Sequence, residues 1–198
     1  GTGIAAKPDA FSVNFQDLGD AAWAADAINF LAKKGVVTGY DETTFNPNGS
    51  VTRAEFAKMI SSLYNLVNAS SKFATQSFTD VPKDAWYFNY VEVCAQLGIV
   101  NGYGDKTFAP NNLISRQEMA VIIARAANVM GTKLTAVKDA KTFADANLIA
   151  DYAAAAIDEL QRAGIISGTS DTTFEPTAGC TRAQAATIIY NLYVNYAK

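Results

Sequence analysis

The sequence contains no histidine among its 198 residues and only two cysteines. Histidine is the commonest general base and metal ligand at neutral pH. Its absence argues against most hydrolase mechanisms, and we expect no catalytic residue, metal site or cofactor. In the register of the repeats described below, Cys94 and Cys180 stand opposite aliphatic residues. Small apolar core residues are therefore the favoured interpretation, with a disulfide as the alternative.

The chain also lacks an excess of positive charge and a long apolar run. Its 16 lysines and arginines are scattered among 19 acidic residues, for a net charge of -3, whereas nucleic-acid-binding proteins usually have a basic face. No segment reaches the roughly 18 apolar residues of a membrane span, and the N-terminus lacks the regions of a signal peptide. We expect a soluble globular protein without nucleic-acid binding or membrane insertion, in mature form if it is exported.

Three similar segments follow one another along the chain. Three glycines are 63 and then 66 residues apart, and three prolines and three arginines keep the same steps: Gly35, Gly98 and Gly164; Pro47, Pro110 and Pro176; Arg53, Arg116 and Arg182. We divide the chain into an N-terminal segment (1–14), three repeats (15–68, 78–129 and 143–198) and two linkers (69–77 and 130–142). Each unit is marginal alone, so the repeats are predicted to share one core as a pseudo-threefold monomer.

Each repeat is predicted to contain two helices joined by a polar turn. The first helix has apolar residues three to four positions apart, beginning with Trp23, Trp86 or Tyr152. The second begins at TRAE (52–55), SRQE (115–118) or TRAQ (181–184). This pattern is a capping box, in which the first residue caps the helix and Glu55, Glu118 or Gln184 reaches back.

The arginine in second place of each box is not explained by capping. The first helical turn carries a partial positive charge, so a cation there costs up to about 1 kcal/mol. Recurrence of Arg53 as Arg116 and Arg182 favours a bound anion. Solvation at the surface and an intramolecular ion pair are the alternatives.

Together these elements resemble the S-layer homology domain. Each copy contains F-x-D, an aromatic residue in the first helix, G-[IV]-[IV]-x-G, T-F-x-P and [ST]-R-x-[EQ], and the copies cover nearly the whole chain. The resemblance implies an all-α, three-lobed fold of three helix-loop-helix repeats, with the TRAE-type helices forming a central three-helix bundle. No single element is specific, but their fixed order and threefold recurrence are.

The resemblance also implies a function. Such modules anchor secreted proteins non-covalently to the bacterial cell wall, at the surface layer of Gram-positive cells. Grooves between the lobes bind the secondary cell wall polymer, an anionic glycan joined to peptidoglycan, typically at a terminal N-acetylmannosamine with a pyruvate ketal. The ketal carboxylate would give the arginines a bidentate, charge-assisted partner.

Further candidate ligand residues follow from the same pattern, each with an alternative. Trp23 and Trp86 are expected to stack on a sugar or to belong to the helix core. Gly39 and Gly102 are expected to let a sugar approach the backbone or to need a positive φ. The remaining candidates are the tyrosines after those glycines, the aspartates of F-x-D, the acids of the boxes and a lysine present only in repeat 1: Tyr40, Tyr103, Asp17, Asp80, Glu55, Glu118 and Lys58.

The roles of the aspartates and the lysine stay open in the sequence. Asp17 and Asp80 would bind sugar hydroxyls, hold the arginine or cap the first helix. Lys58 would add a cation to one groove or be a solvated helix residue. Repeat 3 departs from the pattern at Tyr152, Thr169 and Gln184, so the groove that relies on it is expected to be weakest or silent.

Three other functions are less well supported. A wall-glycan hydrolase would need histidine or a carboxylate pair outside the repeat scaffold. Acidic loops such as YDETTFN lack the ligand spacing of a calcium cage. A protein-protein assembly module of a surface layer is the remaining alternative, because exposed grooves also accept protein segments.

Overall fold

A computed structural model describes residues 3–68 and 71–198, and this range is helical with isolated bridges in place of a sheet. The all-α prediction is confirmed. Each repeat contributes two α-helices: α1 (Ala25–Lys33) and α2 (Arg53–Leu63), α3 (Phe88–Gln96) and α4 (Arg116–Val129), α5 (Asp151–Arg162) and α6 (Arg182–Tyr196). Short 3-10 helices, Leu18–Ala24 and Ala146–Leu148, precede α1 and α5. No helix in the described range is long and apolar enough to cross a membrane.

The second helix of each repeat begins where its capping motif predicted. Thr52, Ser115 and Thr181 each accept the backbone N–H three residues on, and the reciprocal bond forms at Ser115 and Thr181. The motif also predicts that the Glu55 side chain accepts the backbone N–H of Thr52, and this prediction is wrong. Glu55 instead accepts a hydrogen bond from the Thr52 hydroxyl at 3.1 Å and one from Arg182 at 3.2 Å.

The lobes combine helices from successive repeats. Helix α2 packs on α3, α4 on α5, and α6 on α1, so the last repeat closes onto the first. At the centre α2 contacts both α4 and α6, and bridges tie the starts of the three helices together: Ser50 to Thr181, Thr52 to Leu113, and Ser115 to Gly179. The central bundle and three-lobed arrangement are confirmed.

The core is built from equivalent residues of the three repeats. The phenylalanine of each T-F-x-P motif is fully buried and lies 5.3–5.5 Å, centroid to centroid, from the phenylalanine of its own F-x-D motif: Phe45 on Phe15, Phe108 on Phe78, Phe174 on Phe143. Cys94 and Cys180 are free and buried, as predicted. Burial raises the pKa of both thiols to about 11.

Candidate functional site

Three grooves lie around the N-terminal ends of α2, α4 and α6, with volumes of about 370, 230 and 310 Å³. Groove 1 is lined by Thr38, Gly39, Tyr40, Glu55, Lys58, Trp86 and Arg182, among others. Groove 2 includes Arg53, Asn101, Gly102, Tyr103, Glu118, Arg125 and Tyr152. Groove 3 includes Trp23, Arg116, Ser167, Thr169, Gln184, Thr187 and Asn191.

Each groove contains residues from all three repeats, and equivalent residues take equivalent places in each groove. Groove 1 takes its glycine turn and the start of its helix from repeat 1, its aromatic wall, Trp86, from repeat 2, and its arginine, Arg182, from repeat 3. The same rotation gives grooves 2 and 3. A complete groove therefore exists only when the three repeats close into a ring.

The arginines hold the loop of the neighbouring repeat. Their Nε atoms each donate to the carbonyl of a buried phenylalanine at 2.8 Å: Arg182 to Phe45, Arg53 to Phe108 and Arg116 to Phe174. The guanidinium planes lie 4.5–4.7 Å from the centroids of the same rings. All three side chains are buried, so the surface-solvation alternative is wrong. Their structural task is to clamp one repeat to the next.

Two of the three arginines are neutralised by the acid of the neighbouring capping motif. Arg182 Nη1 lies 3.2 Å from Glu55, and Arg53 Nη1 lies 3.0 Å from Glu118. The intramolecular ion pair is therefore present in grooves 1 and 2. In groove 3 the equivalent residue is Gln184, whose side-chain oxygen accepts from the backbone of Thr181.

Lys58 lies in groove 1 and makes no ion pair with any residue in the described ranges 3–68 and 71–198. Its Nζ donates to the Thr38 hydroxyl at 3.2 Å and lies 5.8 Å from the ring of Trp86. Burial, followed by Arg182, lowers the pKa of Lys58, whereas Glu55 raises it. Lys58 is half-buried, so it lies in the groove without being cut off from solvent.

Groove 2 has its extra cation at a position that sequence reasoning missed. Arg125 lies on α4, about one helical turn beyond Val121, the counterpart of Lys58. With the Asn101 amide oriented to satisfy its neighbours, its oxygen accepts from Arg125 Nη1 at 3.3 Å. Repeats 1 and 3 have Ser62 and Asn191 at the Arg125 position, so recurrence gave no signal for it.

The aromatic walls are exposed and belong to no helix core. Trp23, Trp86 and Tyr152 are 64%, 57% and 60% exposed and line grooves 3, 1 and 2. The helix-core alternative is therefore wrong for both tryptophans. Trp23 lies in the 3-10 helix before α1, and Trp86 lies two residues before α3.

Both tyrosines that follow the groove glycines are also exposed and lie next to an arginine. Tyr40 is 59% and Tyr103 is 47% exposed. The guanidinium of Arg182 is 4.7 Å from the Tyr40 ring, and that of Arg53 is 5.1 Å from the Tyr103 ring. In groove 3 this position is Thr169.

The aspartates of the F-x-D motifs bind the backbone of the T-F-x-P loop in their own repeat and do not cap a helix. Asp17 accepts from the backbone N–H groups of Phe45 and Asn46, and Asp80 from those of Phe108 and Ala109. Helix capping is wrong, since the helix that follows Asp17 has no side-chain cap bond and α3 begins eight residues after Asp80. Because the phenylalanine peptides also bind the arginines, each aspartate orients an arginine indirectly.

Gly39 and Gly102 do not have a positive φ, so the alternative that these turns need glycine for its backbone conformation is wrong. A Cβ on Gly39 would lie 2.5 Å from the ring of Phe15 and 2.6 Å from the Asp41 carbonyl oxygen. A Cβ on Gly102 would collide with Phe78 and the Thr107 carbonyl in the same way. The space beside these glycines is filled by the protein itself.

Residues 14–57, 77–120 and 142–186 match the S-layer homology domain. The chain belongs to this family. The chain is similar to part of the amylopullulanase of Thermoanaerobacterium thermosulfurigenes (36% identical over 92% of this chain and 10% of the relative) and to part of the S-layer protein sap of Bacillus anthracis (32% over 94% and 22%). A cellulosome-anchoring protein of Acetivibrio thermocellus is 37% identical over 58% of this chain and 26% of that protein.

The chain spans at most about a quarter of the length of these relatives. The enzymatic name of the first belongs to that whole protein. S-layer homology domains are non-catalytic anchoring modules of secreted, cell-wall-associated proteins. The family-level prediction of a cell-surface module is confirmed.

Proposed function

We propose that this S-layer homology module anchors a secreted protein non-covalently to the cell wall by binding an anionic glycan in groove 1. The ligand that fits is the secondary cell wall polymer, at a terminal N-acetylmannosamine bearing a pyruvate ketal. The supporting observation is Lys58, a cation without an ion pair in the part of the chain that the structure describes, beside an exposed tryptophan, Trp86. No catalytic step is part of the proposal.

The chemistry of groove 1 suits a carboxylated sugar. Arg182 and Glu55 neutralise each other at 3.2 Å, which leaves Lys58 as the charge available to a carboxylate. Trp86 offers an apolar face on which a sugar ring stacks. Glu55 and the Thr38 hydroxyl accept hydrogen bonds from sugar hydroxyl groups, and Gly39 and Tyr40 form the floor.

The relatives are consistent with this proposal, because their printed names include an S-layer protein and a cellulosome-anchoring protein. We propose further that the module acts as a monomer. Contact of α1 with α6 closes the ring within one chain, so no second copy is needed to complete a groove. Sedimentation at micromolar concentration tests this, and a dimer would contradict it.

Calorimetric titration with synthetic pyruvylated N-acetylmannosamine, beside the same sugar without the ketal, tests the ligand. We expect binding that requires the ketal and falls about tenfold or more in Lys58→Met, because a charge-assisted hydrogen bond is lost. Lys72→Met, an exposed lysine outside the grooves, is the matched control. Equal affinity for both sugars, or an unchanged Lys58→Met, would contradict the proposal in favour of a protein partner.

A further inference from the structure

The chain contains two asparagine–glycine pairs, Asn48–Gly49 and Asn101–Gly102. An asparagine followed by glycine is the pair most prone to spontaneous deamidation, because glycine has no Cβ to hinder the approach of its backbone nitrogen to the asparagine side chain. Both asparagines are exposed, so solvent reaches both. A difference in their reactivity therefore depends on the turns that hold them.

The glycine nitrogen is occupied in the first pair and free in the second. The N–H of Gly49 donates to the Asn46 carbonyl at 3.1 Å, and the Asn46 side chain lies against Gly49. The N–H of Gly102 makes no hydrogen bond within residues 3–68 and 71–198. The attacking nitrogen has to lose its proton, and with it any hydrogen bond made through that proton. Reaction is therefore favoured at Asn101.

Arg125 adds a second feature to the Asn101 turn. Nη1 of Arg125 donates to the side-chain oxygen of Asn101 at 3.3 Å, while the Asn101 amide nitrogen donates to the Val100 carbonyl at 3.2 Å. A cation at this oxygen withdraws electrons from Cγ, and it stabilises the negative charge that develops on the oxygen when a nucleophile adds. The neighbouring helix thus makes the Asn101 side chain more electrophilic.

We propose that Asn101–Gly102 is a self-modifying site, at which deamidation changes the charge of groove 2. The Gly102 nitrogen attacks Cγ of Asn101 and forms an N–Cγ bond. The Cγ–Nδ2 bond breaks, and ammonia leaves with the proton from Gly102. Water then opens the cyclic imide: cleavage of the new N–Cγ bond gives aspartate, and cleavage of the original peptide bond gives isoaspartate. Repeats 1 and 3 have Thr38 and Ser167 at this position and cannot react in this way.

Either product places a carboxylate beside Arg125, which makes no ion pair in the part of the chain that the structure describes. The new pair neutralises the extra cation of groove 2 and makes the net charge of -3 more negative by one unit. Isoaspartate also adds a backbone atom to a turn in which a Cβ on Gly102 would lie 2.3 Å from the Phe78 ring. The loop is therefore displaced as well. This inference does not depend on what the groove binds.

Ageing of the folded chain in mildly alkaline buffer, followed by tryptic digestion and mass spectrometry, tests the proposal. The two pairs fall in separate peptides, 35–53 and 84–106. We expect Asn101 to deamidate about fivefold or more faster than Asn48, because only Gly49 has to give up a hydrogen bond. In guanidinium chloride the turns are lost, and the two rates should become similar. A protein-isoaspartate methyltransferase identifies the isoaspartate product.

The variant Arg125→Met tests the activating cation. We expect it to slow deamidation of Asn101 about fivefold or more and to leave the rate at Asn48 unchanged, which also reports that the fold is intact. Lys72→Met, which removes an exposed cation outside the grooves, should change neither rate. In the aged protein, the side-chain NMR signals of Arg125 should shift toward their positions in Asn101→Asp.

Each part of the proposal has an outcome that overturns it. Deamidation of the folded chain that is as fast at Asn48 as at Asn101, or that occurs at neither while the unfolded chain reacts at both, overturns the site. Equal Asn101 rates in wild type and Arg125→Met overturn the activating role of Arg125. Unchanged Arg125 signals after deamidation overturn the neutralisation of groove 2.

Discussion

Arg182 Nη1 lies 3.2 Å from Oε2 of Glu55, although 127 residues separate the two in the chain. This pair joins the last repeat to the first and is mostly shielded from water, with the Arg182 side chain 6% and the Glu55 side chain 22% exposed. It therefore contributes both to ring closure and to the charge of groove 1.

We expect Arg182→Met to cost about 3 kcal/mol of unfolding free energy, because it removes the counter-charge of Glu55 and leaves Glu55 Oε2 and two carbonyls without the donors that Arg182 supplies. Arg116→Met removes the same clamp in groove 3 but isolates no carboxylate, and its cost should be smaller by about 1 kcal/mol or more. Urea denaturation measures both. A larger loss for Arg116→Met would show that the Arg182–Glu55 pair does not stabilise closure.

Gly102→Ala should be strongly destabilising and Gly104→Ala neutral. A Cβ at Gly102 meets the Phe78 ring and a backbone carbonyl, whereas one at Gly104 has no neighbour within 4 Å and needs no positive φ. We expect a loss of about 2–3 kcal/mol for the first and a change within about 0.5 kcal/mol for the second, both measured by thermal unfolding. Equal effects would mean that the loop moves to accommodate the methyl group.

Binding in groove 1 should be pH-dependent in the alkaline range. Because burial and Arg182 lower the pKa of Lys58 from 10.5, the cation is lost at a lower pH than in an ordinary lysine. The affinity of groove 1 for a carboxylated sugar, measured by calorimetric titration, should therefore fall as the pH rises, and the fall should begin at a lower pH than an ordinary lysine pKa of 10.5 would give.

The effect of Lys58 on stability has the opposite sign. The unfolded chain keeps this proton to a higher pH than the folded chain, so folding gains free energy from Lys58 as pH rises between the two pKa values. Lys58→Met should lack both this gain and the pH dependence of groove 1 binding. A calorimetric affinity that falls equally with pH in wild type and variant would assign the titration to another group.

Cys94 and Cys180 should be unreactive in the folded protein. Burial raises the pKa of both thiols to about 11, so at pH 8 about a thousandth of each is thiolate, and neither is accessible. A chromogenic disulfide reagent should label two thiols per chain only after unfolding in guanidinium. Rapid labelling of either in the native state would indicate local opening of its helix contacts.

Sequence reasoning located what depends on local chemistry. The starts of α2, α4 and α6 follow from capping motifs of four residues, and the repeat lengths follow from recurring glycines and prolines. The family pattern supplied the bundle. The helix starts and the repeat lengths can be predicted without knowing which repeats are in contact.

The composition of the grooves depends on contacts between distant residues, and there the sequence was insufficient. Helical periodicity leaves the buried face of α1 open as an alternative for Trp23, but the chain before Ala25 is a 3-10 helix and the indole is exposed. Capping is one of three roles that the sequence leaves open for Asp80, because its loop partners, Phe108 and Ala109, lie 28 and 29 residues away. Arg125 recurs in no other repeat and gave no pattern to read.

Because every groove takes its turn, wall and arginine from three different repeats, the module has no partial form. Loss of repeat 3, for example, removes Arg182 from groove 1 and the aromatic side chain of Tyr152 from groove 2. It also removes the glycine turn and the helix start of groove 3. For a protein retained through these grooves, a single proteolytic event that frees one repeat would act as complete release from the surface, with no weakly attached intermediate.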